Sequence, residues 1–375
     1  MTYSVYQHWD PLKVCIVGRS YAPEFYSFIE NTRVRNVMER IAYETEEDYQ
    51  KLIKLLKSFN VEILRPNAYT HHEEAFTFDN KIKLPPMTPR DYTATIGNTF
   101  YIDTYEDFFS NKYETLRGSG WPEKCPKNIN DLPDWIVKEL SQDFNNAHLV
   151  PDRSFEYKDI ISIIKNNMSI DVDRAVSTAN ITRIGKDIYI SYDGIHQEEQ
   201  FKERHSEFRF HKVPMDGHSD GNFCPVVPGL IVSLFDVQEY KKTYPGWEVV
   251  YLPNQSWNKI KPFMQLKEKN HGKWWVPGEE LNDDFTNFVE NWLGHWVGYV
   301  EETVFDVNML VIDKHNVVCN NYNKEVFDAF ERHGVTPHII NFRHRYFWDG
   351  GLHCITSDIH REGTMQDYFP ERATK

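Results

Sequence analysis

One pattern returns five times along this chain, and it limits the fold more than any other feature. It is a short β-branched or apolar strand, a tight turn, a second strand, a helix and one further strand. The first instance opens with K-V-C-I-V-G, Lys13 to Gly18, and leads to the helical segment E-T-E-E-D-Y-Q-K-L-I-K-L-L-K-S-F. There Leu52, Ile53, Leu55 and Leu56 recur on one helical face. V-E-I-L-R-P, Val61 to Pro66, follows as a strand stopped by proline. The second instance runs from Tyr92 to Ile102, and Gly97-Asn98 supplies the positive-φ positions that a two-residue hairpin turn prefers. The third runs from Asn180 to Ser191, turns at Gly185-Lys186, and continues into a polar helix around Glu198 to Glu207 and the strand F-R-F-H-K-V. The fourth is F-C-P-V-V-P-G-L-I-V-S-L, turning at Pro228-Gly229, with helix D-V-Q-E-Y-K-K and strand W-E-V-V-Y-L-P. The fifth runs from Asn308 to Cys319. Its helix K-E-V-F-D-A-F-E-R-H-G ends at Gly334, which suits the left-handed C-terminal position, before strand T-P-H-I-I-N.

A lone hairpin is not stable in water, so units this small must share a centre. Five ββαβ units therefore predict an α/β radial repeat, a single domain spanning residues 1–375 rather than two unrelated ones. Two stretches break the pattern and are expected to be insertions: about 110–170 and about 254–303. The first contains the loop-like T-L-R-G-S-G-W-P-E-K-C-P. The second is rich in tryptophan and predicts a helix from about Glu279 to Val297, with Phe285, Phe288, Val289 and Trp292 as a packing stripe.

The balance of charge is −14, which argues against a nucleic-acid-binding surface. No apolar run approaches the roughly 18 residues of a membrane span. The start M-T-Y-S-V-Y-Q-H-W-D resembles neither a signal peptide nor a transit peptide, so a soluble, cytoplasmic protein is expected. Cys15, Cys125, Cys224, Cys319 and Cys354 are scattered and form no C-x-x-C pair. That spacing disfavours a zinc ribbon or a disulfide framework and predicts reduced thiols. Cys15 and Cys319 read as buried strand residues.

Polar residues stand at corresponding places beside these hairpins. Asp91 precedes the second, His218 and Asp220 precede the fourth in P-M-D-G-H-S-D-G-N-F, and Cys354 follows T-P-H-I-I-N in W-D-G-G-L-H-C. In a radial repeat such positions face the centre together. A thiolate is a nucleophile, and a neighbouring histidine can take its proton. Paired carboxylates match a planar guanidinium with its five N–H donors. The set thus suits attack by sulfur on a guanidinium or amidinium carbon. Plainer readings exist for each residue. Cys354 could be a small buried apolar residue, Asp91 and Asp220 turn residues, and His218 one of sixteen histidines. Gly350-Gly351 favour function at Cys354, because glycine permits unusual backbone angles and close approach. The segment D-G-H-S-D-G-N lacks the spacing and terminal glutamate of an EF-hand calcium loop.

These residues together resemble the amidinotransferase family. Trp9-Asp10-Pro11-Leu12 with Val14 to Gly18 is similar to the family's start, and Met87 to Asp91 followed by I-G-N to its second hairpin. Thr182 to Ile188 resembles the third hairpin, and His218-x-Asp220 with Gly221 to Ser233 the fourth. Gly350 to Cys354, then Asp358 and Arg361-Glu362-Gly363-Thr364, resembles the nucleophile segment. The resemblance implies a pentein fold, an α/β-propeller of five ββαβ-type units around a pseudo-fivefold axis. It implies a ping-pong reaction without metal or organic cofactor. Cys354 attacks the guanidinium carbon of a donor such as arginine, ornithine leaves, and the amidino-cysteine passes its amidino group to a small primary amine. His218 shuttles protons while Asp91 and Asp220 hold the guanidinium.

Two positions depart from the family. Counting back from Gly185, the carboxylate expected beside the histidine falls on Ser177, and Asn180 replaces a second acid. Both count here as candidate substrate-binding residues; Ser177 can still accept a hydrogen bond. The arginine expected after the fourth hairpin is missing from Ser233 to Thr243, where Lys241 and Lys242 are poor substitutes. Arg343 or Arg345 could grip the donor's carboxylate instead. The expected partners are small molecules, with no nucleic acid or membrane, and a homodimer is possible. Two rival readings are a hydrolase or deiminase of the same fold and a non-catalytic pentein that binds a ligand.

Overall fold

The computed structural model describes residues 2–75, 81–102, 154–171, 178–191, 198–213, 218–234, 236, 239–252, 274–293, 296 and 307–372. Five three-stranded sheets make up the frame. Strand β1 (Leu12–Val17) is followed by helix α1 (Thr32–Ser58) and strand β2 (Glu62–Leu64), which pairs parallel to β1. Next come β3 (Thr93–Ile96) and β4 (Thr99–Ile102) as an antiparallel hairpin, α2 (Ser154–Ile164), and β5 (Ser169–Asp171) parallel to β4. The third sheet joins β6 (Ile181–Ile184), β7 (Asp187–Ser191), α3 (Glu198–Arg204) and β8 (Arg209–Val213) in the same way. The fourth has β9 (Phe223–Val227), β10 (Leu230–Ser233), the short α4 (Tyr240–Thr243) and β11 (Glu248–Tyr251). After α5 (Asp283–Trp292), the fifth has β12 (Leu310–Asp313), β13 (Asn316–Cys319), α6 (Lys324–His333) and β14 (Thr336–Ile339).

The expected five-unit pattern is therefore present, with two corrections. The first unit has no hairpin of its own. Its inner strand is β15 (Thr356–Arg361), which follows α7 (Arg345–Trp348) and pairs antiparallel with β1, Val17 opposite Thr356. The two ends of the chain thus complete one sheet, and Cys354 precedes a strand rather than following the last one. The second correction lies in the stretch 110–170. Its C-terminal part forms α2 and most of β5, the helix and third strand of the second unit. The helix expected from Glu279 to Val297 is shorter, Asp283–Trp292. Phe285 and Val289 are buried there against Trp274, Trp296 and Phe347, while Trp292 stands 40% exposed.

Hairpin turns need one left-handed residue, and glycine takes it without a Cβ clash. Gly97, Gly185 and Gly229 have φ of 56°, 61° and 95°; Asn98 does not join Gly97 in that region. The N-terminal segment crosses two of these turns, with Val5 exchanging backbone hydrogen bonds with Gly97 and Tyr6 accepting from Gly185. Helix α1 begins at an Asn31 cap that accepts from the amides of Arg33 and Val34. It buries Val34, Met38, Ile41, Tyr49, Leu52, Ile53 and Leu56 against Cys15 and Val17 of β1. That spacing of three and four residues is the helical period. Cys15 and Cys319 are buried strand residues, as expected; Cys224 and Cys354 are buried free thiols too, and Cys125 lies outside the described residues. No helix among the described residues is long and apolar enough to cross a membrane.

Candidate active site

The turn before each sheet's first strand carries a polar or nucleophilic side chain. Asp91 closes the turn Pro89–Asp91 ahead of β3, and Asn180 closes Thr178–Asn180 ahead of β6. Asp220 occupies Ser219–Gly221 ahead of β9. Asn308 stands two residues before β12, and Cys354 two residues before β15. Hydrogen bonds tie these turns together. The amide of Arg90 donates to the carbonyl of Cys354 at 3.3 Å. The Nδ2 of Asn308 donates to Cys354 Sγ at 3.0 Å and to the Asp220 carbonyl at 3.3 Å. The hydroxyl of Ser219 donates to the Ala179 carbonyl at 2.9 Å. His218 Nδ1 faces Asp91 Oδ1 at 3.9 Å across the second and fourth turns.

Four of the expected residues are thereby brought together: Asp91, His218, Asp220 and Cys354. Asn180 is buried at the end of the third turn. Ser177 lies outside the described residues.

Cys354 is fully buried, and its thiol donates to Asp220 Oδ2 at 3.3 Å. Burial, then the carboxylates of Asp220 and Asp91, push this thiol well above its ordinary range; the donor from Asn308 acts in the opposite sense. The same Oδ2 of Asp220 lies 2.8 Å from His353 Nδ1. Burial, then the charge of Arg90, bring His353 down to about 4 despite that carboxylate. Burial alone would raise Asp220, but the hydrogen bond from His353 and nearby positive charge hold it below the usual carboxylate range. At neutral pH the cluster is therefore an ionised Asp220, a neutral His353 that donates from Nδ1, and a neutral thiol. Asp220 Oδ1 is buried and has no hydrogen-bond partner among the described residues. An unpaired carboxylate oxygen in such a place is costly unless a donor comes to it.

A second layer of charge fixes the nucleophile turn from below. Asp358, on β15, is 1% exposed and accepts two hydrogen bonds from Arg183, at 2.8 and 2.9 Å. It also meets Arg361 Nε at 2.7 Å and Arg90 at 3.1 Å. Arg90 Nε donates in turn to the carbonyls of His353 and Thr356, at 2.9 and 3.0 Å. The arginine of M-T-P-R-D is thus a strut under Cys354, next to the aspartate that faces His218.

Neither arginine offered for a substrate carboxylate is free. Arg343 is held by Asp48 and Glu47 of α1, Nε to Asp48 Oδ2 at 2.9 Å. Arg345 is 7% exposed, donates to Asn341 and the Phe342 carbonyl, and lies against the Tyr346 ring. Lys242 pairs with Glu239 at the surface.

Reading the sequence missed Asn308 and gave no role to His353, Arg90 or Asp358. Asn308 had a usable signal: it opens N-M-L-V-I-D at the same place before a hairpin as Asp91 does. Gly350 and Gly351 are needed for space, not backbone angle, since neither has a positive φ. A Cβ on Gly351 would fall 2.5 Å from Asn308 Oδ1, and one on Gly350 would fall 2.8 Å from Thr88 Cγ2. The left-handed residue in this loop is Asp349, φ 53°.

Solved structures that share this fold include two amidinotransferases. An amidinotransferase from Microseira wollei in the saxitoxin biosynthetic pathway aligns with a TM-score of 0.61 at 15% identity, covering 98% of this chain and 99% of that one. The inosamine-phosphate amidinotransferase of Streptomyces griseus aligns with a TM-score of 0.57 at 17% identity, with the same coverage. The class of fold is therefore the five-sheet α/β architecture of these two proteins. By sequence, the mitochondrial glycine amidinotransferase of Xenopus laevis is 23% identical over 411 residues, covering 97% of this chain and 84% of the relative. The L-arginine:L-lysine amidinotransferase of Pseudomonas savastanoi pv. phaseolicola is 22% identical over 213 residues, 54% of this chain and 49% of its own. No family model matches the chain. The chain resembles the amidinotransferases over nearly its whole length.

Proposed function

We propose that this protein is an amidinotransferase that moves an amidino group from arginine, or a related guanidine, to a small primary amine through a covalent intermediate on Cys354. One observation carries the reading: a buried thiol lies 3.3 Å from a buried carboxylate whose second oxygen has no partner among the described residues. Acids around a thiol oppose thiolate formation and disfavour anionic substrates, but they suit a cation. A guanidinium placed between Asp91 and Asp220 gives Asp220 Oδ1 its donor and offsets the charge that keeps the thiol protonated. The five units stand, in this reading, around a pseudo-fivefold axis on which the turns converge.

Cys354 gives its proton to His218, and sulfur bonds to the guanidinium carbon. The carbon–nitrogen bond to the donor breaks, His218 returns the proton to the leaving amine, and the amidino group stays on sulfur. The acceptor amine then attacks the same carbon and passes a proton to His218. The carbon–sulfur bond breaks, and the sulfur recovers its electron pair and the proton. Neutral His353 has no part in this transfer; its Nδ1–H fixes the Asp220 carboxylate.

Incubation with arginine, with and without candidate primary amines, tests the reading. Release of ornithine that depends on the amine, with amidino-Cys354 trapped in its absence, is the expected result. Formation of citrulline without any amine would assign water as the acceptor and overturn transfer.

A further inference from the structure

Asn308 belongs to the fifth unit, which, like the third, contributes none of the four residues on which the proposed reaction rests. We propose that Asn308 is the donor that holds and activates the Cys354 sulfur, linking the fourth, fifth and first units at the nucleophile.

The orientation of its amide is settled by its neighbours. Oδ1 accepts from the backbone amides of His353, at 2.8 Å, and Cys354, at 3.2 Å. Both are donors only, so the carbonyl end must face them and the NH2 end must face the other way. Nδ2 donates to Cys354 Sγ, 3.0 Å away, and to the Asp220 carbonyl oxygen, 3.3 Å away. Asn308 is fully buried, so water does not compete for either contact. Because Oδ1 occupies the amides of His353 and Cys354, neither of them serves the sulfur; Nδ2 does. Gly351 confirms how close the fit is, since a Cβ there would fall 2.5 Å from Asn308 Oδ1.

The groups that face the sulfur are Asp220 and Asp91, both acidic, with His218 beside Asp91, and His353 and Arg90 beside Asp220. Against two carboxylates, the Asn308 amide is the hydrogen-bond donor given to the thiol. It favours the thiolate, and so acts on the step that precedes attack.

The inference rests on Cys354 being the nucleophile, but its test does not need turnover. Asn308→Asp keeps an acceptor for the two amides and replaces the donor with a carboxyl group. In that pair the carboxyl ionises first, which leaves the thiol beside a third negative charge. The rate of iodoacetamide labelling of Cys354, followed against pH by mass spectrometry, should move its midpoint up by about one unit or more, at least a tenfold loss of rate at pH 7. Gly351→Ala, which pushes the Asn308 amide aside without adding charge, should shift it in the same direction by less. Thermal melting identifies any variant that fails to fold. If both variants fold and label with the wild-type profile, Asn308 is a structural residue only and the inference is wrong. If they shift while the wild-type protein transfers no amidino group, the inference stands and the proposed reaction falls.

Discussion

The carboxylate of Asp220 shares one oxygen, Oδ2, between the Cys354 thiol at 3.3 Å and His353 Nδ1 at 2.8 Å. Its remaining oxygen has no partner among the described residues, so one oxygen restrains the nucleophile while the other is left to accept. The two tasks separate in a variant. Asp220→Asn removes the negative charge beside the sulfur, which lowers the thiol's proton affinity, and also removes the acceptor for a guanidinium. Labelling of Cys354 at pH 7 should become faster, while turnover of arginine falls by roughly 10- to 100-fold, the cost of one lost charged hydrogen bond. Slower labelling in a folded Asp220→Asn protein would show that the carboxylate aids the thiolate, contrary to the electrostatics described above.

His353 gives the protein a pH-dependent stability of a stated sign. Buried and close to Arg90, it titrates at about 4 in the folded protein against 6.5 for a free imidazole. The unfolded chain therefore binds a proton between these values that the folded one refuses, so stability is whole above pH 6.5 and declines as pH falls towards 4. His353→Gln can still donate to Asp220 but does not titrate. Unfolding free energies from urea titrations between pH 7 and 4.5 should fall less steeply for this variant, by up to about 1.4 kcal/mol per pH unit. Parallel slopes for the two proteins would mean that His353 is charged in the folded state.

Much of this arrangement was legible in the sequence because the hairpins are apolar and their turns carry glycine. The convergence of Asp91, His218, Asp220 and Cys354 followed from their equivalent places in the repeat. What escaped reading did so for physical reasons. T-S-D-I-H-R, the inner strand β15, carries Asp358, His360 and Arg361, and all three are buried. Burial of charge is satisfied there by arginines from Arg90 and Arg183, distant in sequence, so no apolar alternation marks the strand. The helix and third strand of the second unit read as insertion in the sequence because the long stretch before them separates them from their hairpin. Gly350 and Gly351 stood out, but only the packing of Asn308 and Thr88 against them explains why a side chain is excluded.

Asp358 should be the most costly of these charges to remove. Its carboxylate is the common partner of Arg183, Arg361 and Arg90, and burial, which alone would raise its pKa, is outweighed by these three charges, which hold it well below the usual carboxylate range. Asp358→Asn leaves three guanidinium groups without their counter-charge, and a broken buried pair costs about 3–5 kcal/mol. The melting temperature should drop by several degrees or more. Since the folded carboxyl stays ionised far below the pKa of the unfolded one, its contribution is complete above about pH 5 and is lost only in more acidic solution. The deficit of the variant should accordingly be constant from pH 8 to 5 in denaturant titrations. A deficit that shrinks across that range would contradict the assignment of Asp358 as fully ionised.

Arg90 separates support of the nucleophile from binding of the substrate. It donates through Nε to the carbonyls of His353 and Thr356, which flank Cys354, and its outer nitrogen forms an ion pair with the Asp358 carboxylate at 3.1 Å. A lysine keeps the charge but, as a point donor on a flexible stem, does not span all three. Arg90→Lys should lower stability by about 1–3 kcal/mol, through the buried carbonyls left unpaired. It should also lower kcat, and slow the labelling of Cys354, more than it raises KM for the guanidine, because the Nε of Arg90 is engaged by the carbonyls of the turn that carries Cys354. Steady-state kinetics at several arginine concentrations distinguish the two effects. A variant with normal kcat and labelling but a greatly raised KM would make Arg90 a substrate contact, and the strut under Cys354 would have to be sought among Arg183 and Arg361 instead.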